Sequence, residues 1–168
     1  QFSKNIQAID KAAVSSGNGK ALLTGAMLKP VSNMELSVVY RNINKTYFSY
    51  FSNAFTESSK VNDEHGFYLG AKIFPAPRWI IWAYADFFSH QWLKYLTAAP
   101  SSGTELFAQL AFNPSRGSKF YLRFFQEEKA QKQISGVFKY NEQQMINRLR
   151  INFSHDLNEQ FSLKSRVE

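Results

Sequence analysis

The sequence predicts an all-β fold, an antiparallel up-and-down transmembrane β-barrel or a segment of one, with about eight strands. Three observations predict it. Apolar and polar residues alternate with period two in one stretch after another. The connections between those stretches alternate between short and long. Hydrophobic residues make up 44% of the chain and aromatic ones 16%, yet mean hydropathy is −0.36, so apolar residues are finely interleaved with polar ones.

The first strand is expected near residues 21–29, with residues 6–14 as a candidate ninth. Next, Leu36, Val38 and Tyr40 share a face opposite Glu35, Ser37 and Arg41. Phe67, Leu69, Ala71 and Ile73 likewise oppose Tyr68, Gly70 and Lys72. The stretch Trp79–His90 is apolar on both faces, and Asp86 assigns its own face inward because a lone carboxylate against hydrocarbon is costly. Leu106, Ala108, Leu110 and Phe112 then oppose Glu105, Phe107 and Gln109, while Phe120, Leu122 and Phe124 oppose Tyr121, Arg123, Phe125 and Glu127. Leu149, Ile151 and Phe153 oppose Arg148, Arg150 and Asn152, and a last strand sets Phe161, Leu163 and Val167 against Ser162, Lys164 and Arg166.

Residues 30–33, 75–78, 113–118 and 155–159 form short turns, several with the Pro, Gly and Asn chemistry of reversals. Residues 49–65, 91–104 and 128–146 read as long polar connections. Short turns at one rim and long loops at the other are the pattern of up-and-down membrane barrels. Phe74, Trp79, Phe112, Phe120, Phe153 and Phe161 flank the short turns, as an interfacial aromatic girdle would.

At 168 residues the whole chain, 1–168, is expected to be one β-barrel segment, an excised or processed part of a larger barrel. No apolar run approaches the roughly 18 residues of a membrane-spanning helix. The absence of cysteine excludes disulfides and thiolate metal sites. The net charge of +7 is compatible with nucleic acid, anionic lipid or an anion-lined pore and does not choose among them.

No motif points to an enzyme, a metal or a cofactor. His65, His90 and His155 lack metal-ligand spacing and read as solvated. Ser101-Ser102-Gly103 has no strand-to-helix setting for a nucleophile, and residues 16–20 miss the spacing of a phosphate loop. Glu127-Glu128 with Lys129 and Lys132 reads as a solvated charge run at a loop base.

The candidate functional set is the inward, lumen-lining one: Arg41, Lys72, Asp86, Glu105, Arg123, Glu127, Arg148, Arg150, Lys164 and Arg166. Its acidic members, with Glu35, are expected as counter-charges. Such a lining either favours anionic solutes or fills a small closed barrel by internal pairing. The lipid-facing candidates are Leu36, Val38, Leu69, Ile73, Leu106, Leu110, Phe120, Leu122, Phe124, Leu149, Ile151 and Phe153.

Several short runs carry a family likeness: Tyr40-Arg41-Asn42, Asn53-Ala54-Phe55 with Glu57-Ser58, Gly66, Tyr68-Leu69-Gly70, Pro75-Ala76 with Trp79, Trp92-Leu93-Lys94-Tyr95, Ala99-Pro100-Ser101-Ser102-Gly103, Asn113-Pro114-Ser115-Arg116 and Gln126-Glu127. Over residues 40–127 the chain resembles Bacteroidota outer-membrane β-barrel proteins of the helix-hairpin-helix domain-containing family. The resemblance implies a bacterial outer-membrane location and a barrel larger than this chain. The family's helix-hairpin-helix part is absent, so no residues carry a nucleic-acid role.

The functional expectation is a porin, transport or envelope-assembly scaffold at the outer membrane. Its partners would be outer-membrane lipid and the rest of a larger barrel or other envelope proteins. The alternative is a soluble β-barrel or sandwich binding a ligand or protein partner, which would turn its apolar faces inward onto one core.

Overall fold

A computed structural model describes residues 5–15, 17–49, 55–56, 61–92, 97, 100–115, 117–135, 138–156 and 161–168. It is all-β. Nine strands follow one another as β1 (Asn5–Val14), β2 (Lys20–Val31), β3 (Met34–Ile43), β4 (Glu64–Ile73), β5 (Trp79–His90), β6 (Ser101–Ser115), β7 (Ser118–Ser135), β8 (Phe138–Asp156) and β9 (Ser162–Val167). They form one antiparallel up-and-down sheet in sequence order, and the sheet is not closed into a barrel.

The candidate ninth strand is formed: residues 5–14 pair with β2 along their whole length, from Asn5↔Lys29 to Val14↔Lys20. One expectation needs correction. The long connection expected over 128–146 is a ladder instead: β7 and β8 pair continuously out to Ser135↔Phe138. The polar composition of that stretch suggested a loop, but a two-stranded ladder satisfies its backbone through cross-strand hydrogen bonds and needs no apolar face when water bathes both sides. β6 pairs with β7 no farther out than Gly103↔Lys129. Residues 130–135 therefore have no register partner on β6 among the described residues and pair with β8, over about 20 Å at ~3.4 Å per residue.

The pairing register sorts the side chains into two faces. Residues directly opposite on neighbouring strands point the same way, so Leu69↔Ala85, Ala85↔Leu106 and Leu106↔Gln126 lie on one face. Tyr68↔Asp86, Asp86↔Glu105 and Glu105↔Glu127 lie on the other. The polar face is concave. A cavity of about 250 Å³ on it touches Met27 of β2 and Phe107 of β6, four strands apart, which in a flat sheet would stand roughly 19 Å from each other.

Burial is inverted relative to a water-soluble domain. Among the described residues only Ile43, Phe88 and Ala111 are buried apolar side chains, whereas Arg41, Asp63, Glu64, Asp86, His90 and Ser118 are buried polar ones. Leu69, Leu110, Leu122, Phe124, Leu149 and Ile151, on the apolar face, are exposed.

Candidate binding face of the sheet

The ten residues expected to line an interior all stand on the concave face, and the twelve expected to meet lipid all stand on the convex one. Three cross-strand rows organise the concave face. Tyr68, Asp86, Glu105 and Glu127 form a largely acidic row across β4 to β7. Two residues farther along each strand, towards the short turns, Tyr84, Phe107, Phe125 and Arg148 form an aromatic row ending in a guanidinium. Two residues beyond that come Lys72, Trp82, Gln109, Arg123 and Arg150. Each row arises because period-two alternation and in-register pairing place like positions side by side.

At the long-loop end the face closes over a buried ion network. Arg41 of β3 reaches across β4: its Nε donates to Glu64 Oε1 at 2.6 Å, and its two terminal nitrogens donate to the Asp86 carboxylate of β5 at 2.9 and 3.1 Å. The His90 imidazole lies 3.4 Å from the second Glu64 oxygen, and the Phe55 ring caps the guanidinium at 5.4 Å. Arg41 and Glu64 are fully buried, at 0% exposure. The fork geometry of arginine suits it to bridging two carboxylates in this way.

Gly66 makes the crossing of β4 feasible. It is the register partner of Arg41, and a Cβ there would fall inside the guanidinium. We expect Gly66→Ala to lower stability by about 1–3 kcal/mol through overpacking, checked by denaturant unfolding. An unchanged midpoint would mean that Arg41 does not need this passage.

Away from the network, several carboxylates find partners outside the basic set. Glu35 pairs with Lys29, Glu105 accepts from the Tyr84 hydroxyl, and Glu127 pairs with Lys129. Of the expected counter-charges, Asp86 pairs with a member of the basic set, Arg41. The remaining guanidiniums rest on other groups. Arg123 Nε donates to Gln109 Oε1 at 2.8 Å, with its guanidinium 5.3 Å from the Phe107 ring and 5.2 Å from the Tyr121 ring. Arg148 lies 5.5 Å from the Phe125 ring, and Lys72 lies 5.8 Å from Trp82. Arg150 binds both oxygens of Glu168 at 2.7 and 2.9 Å.

Three further readings change. His90 is not solvated but buried at 7% exposure against Glu64. His155 lies within β8, where its Nδ1 is 2.7 Å from Ser118 Oγ. Glu127, Glu128, Lys129 and Lys132 lie inside β7 and not at a loop base. Sequence reasoning also missed Glu64. Its parity with Gly66 and Tyr68 places it on the polar face, a signal hidden because the strand was expected to begin after residue 65. Asn53-Ala54, Glu57-Ser58, residues 93–95, Ala99 and Arg116 lie outside the described residues.

Among the described residues no group of three or more His, Asp or Glu is placed to hold a metal ion. Among the described residues no helix is long and apolar enough to cross a membrane, which says nothing about crossing by strands. No protein-family model, curated protein or solved structure matches the chain.

Proposed function

We propose that the chain is part of the wall of an outer-membrane β-barrel, with the convex face against hydrocarbon and the concave face towards an aqueous interior. One observation carries the reading: two aromatic rows bound an uncharged band on the convex face. Trp79, Phe112, Phe120 and Phe153 stand side by side on β5 to β8 near the short turns. Their rings associate in pairs, Trp79 with Phe112 at 4.4 Å and Phe120 with Phe153 at 4.6 Å. Near the long-loop end Tyr40, Phe67 and Phe87 form a second row.

Between the rows, no outward position on β1 to β8 carries a charge; Asp10 and Glu128 stand level with the second row itself. Along β5 the rows are eight residues apart, about 27 Å of strand and about 20 Å of height at a tilt of roughly 40°. That span is of the order of the ~25 Å apolar band between aromatic girdles of membrane barrels. The scarcity of buried apolar side chains supports the same reading, since a soluble sandwich would bury its apolar faces between two sheets. The family resemblance adds a Bacteroidota envelope as the location and a barrel larger than this chain, and transport or scaffolding is the role proposed for it.

The cysteine-free sequence makes the test direct. Single cysteines placed at each of residues 120–125, spin-labelled in bilayers, should alternate: oxygen accessibility high at 120, 122 and 124, aqueous-reagent accessibility high at 121, 123 and 125. Aqueous accessibility at 122 and 124 would overturn the proposal.

A further inference from the structure

We infer that the concave face holds a binding site for a small amphiphilic anion, a carboxylate carrying one alkyl tail, in a cavity between β1 to β3 and the connection that follows β3. The cavity measures about 450 Å³. That lies in the lower part of the ~300–1,000 Å³ range of small-molecule sites, which are mostly apolar with a few placed polar groups. The inference rests on the proposal that this face is wetted.

The floor follows from the pairing register. Ala13, Ala21 and Ile43 stand side by side across β1 to β3, and Leu23 stands opposite Lys11 in the next inward row. Across β4 to β8 the inward rows are rich in charged and aromatic residues, so this aliphatic recess breaks the pattern of its own face. Tyr47, Phe55 and Val61, from the connection between β3 and β4, complete the lining. That connection is fastened to the sheet. Gly19 leaves room for the Thr46 and Tyr47 backbone, where a Cβ would clash, and the Phe48 amide donates to Ser15 Oγ at 3.2 Å. Water entering an apolar recess finds few hydrogen-bond partners there, so the recess favours an alkyl chain over solvent.

Charge sets the head group. Of the described residues that line the cavity, Lys11 alone is charged. It is exposed, and its aliphatic stem can extend the apolar wall while the ammonium stays hydrated at the mouth. Its neighbour Asp10 points to the convex face and accepts from the Thr24 hydroxyl. Arg41, opposite Leu23, turns away to Glu64 and Asp86, with the Phe55 ring over its guanidinium. A lone ammonium beside an apolar cavity attracts a carboxylate head and repels a cationic one.

The test is calorimetric titration of the full chain, held in a non-ionic amphipol, with hexanoate, octanoate and octylammonium, each measured against amphipol alone. We expect saturable octanoate binding, about tenfold tighter than hexanoate for the two added methylenes, and weaker binding of octylammonium. Lys11→Glu should reverse the preference, making octylammonium the tighter ligand. Ala13→Phe and Ala21→Phe, each adding a ring to the floor, should abolish saturation. Lys164→Gln, at an exposed site on β9, should change nothing.

Octanoate uptake that does not saturate, ignores tail length or survives both alanine substitutions would overturn the inference. So would an order of octanoate and octylammonium that Lys11→Glu leaves unchanged. Lys11 and Ala13 are exposed, so a folding defect in Ala21→Phe cannot mask the result. Binding that persists while labels at 122 and 124 prove aqueous would sink the membrane reading alone. Lost binding with the expected label alternation would sink only this site.

Discussion

Replacing Arg41 with methionine is expected to destabilise the folded sheet by about 3–5 kcal/mol, the usual result of removing one partner from a buried charge network. The substitution keeps a long side chain, so the loss comes from stranding Glu64 at 0% exposure and Asp86 at 7% without their shared cation. Lysine should not rescue it: a single ammonium cannot reproduce both the Nε contact to Glu64 and the two-pronged contact to Asp86. Combining Arg41→Met with Glu64→Gln and Asp86→Asn should recover much of the loss, since no bare charge then remains. Denaturant unfolding in detergent, followed by tryptophan fluorescence, measures all three proteins. A cost under about 1 kcal/mol for Arg41→Met would show that the network is solvated, not buried.

An arginine at position 108 separates membrane from water more sharply than any change on the concave face. Ala108 points outward from β6, exposed, in the row formed with Ala83, Phe124 and Leu149 midway between the two aromatic rows. Alanine contributes little packing there, so Ala108→Arg isolates the cost of placing a charge on that face. In a bilayer the expected cost is about 2–4 kcal/mol at the midplane, whereas an exposed site in water tolerates the change within about 0.5 kcal/mol. Reversible unfolding into lipid vesicles gives the number directly. A value near zero would leave the convex face without hydrocarbon against it.

Much of this fold is legible in the sequence because it is written at period two. Leu110 and Leu122, or Arg123 and Arg150, are assigned to faces by alternation alone, and in-register pairing adds only which of them are neighbours. The Asp86 argument groups the residues of its parity in Trp79–His90 with the polar face, on which the register sets Asp86 beside Tyr68 and Glu105. What sequence could not give is whatever depends on reach across strands. Arg41 meeting Asp86 requires a glycine on the strand between them, and Glu64 meeting His90 requires two strand ends to coincide. The outer β7–β8 ladder was illegible for a different reason. Hydrogen-bonded backbone without an apolar face leaves no hydrophobic period to read.

The outer edges of β1 and β9 pair with no further strand among the described residues. In an up-and-down array the chain reverses at every step, so the first and ninth members run in the same direction. A seam joining them directly would have parallel polarity. A ring kept antiparallel throughout must interpose an odd number of additional strands, so a proposed wall of this kind is finished by partners whose parity these nine already dictate.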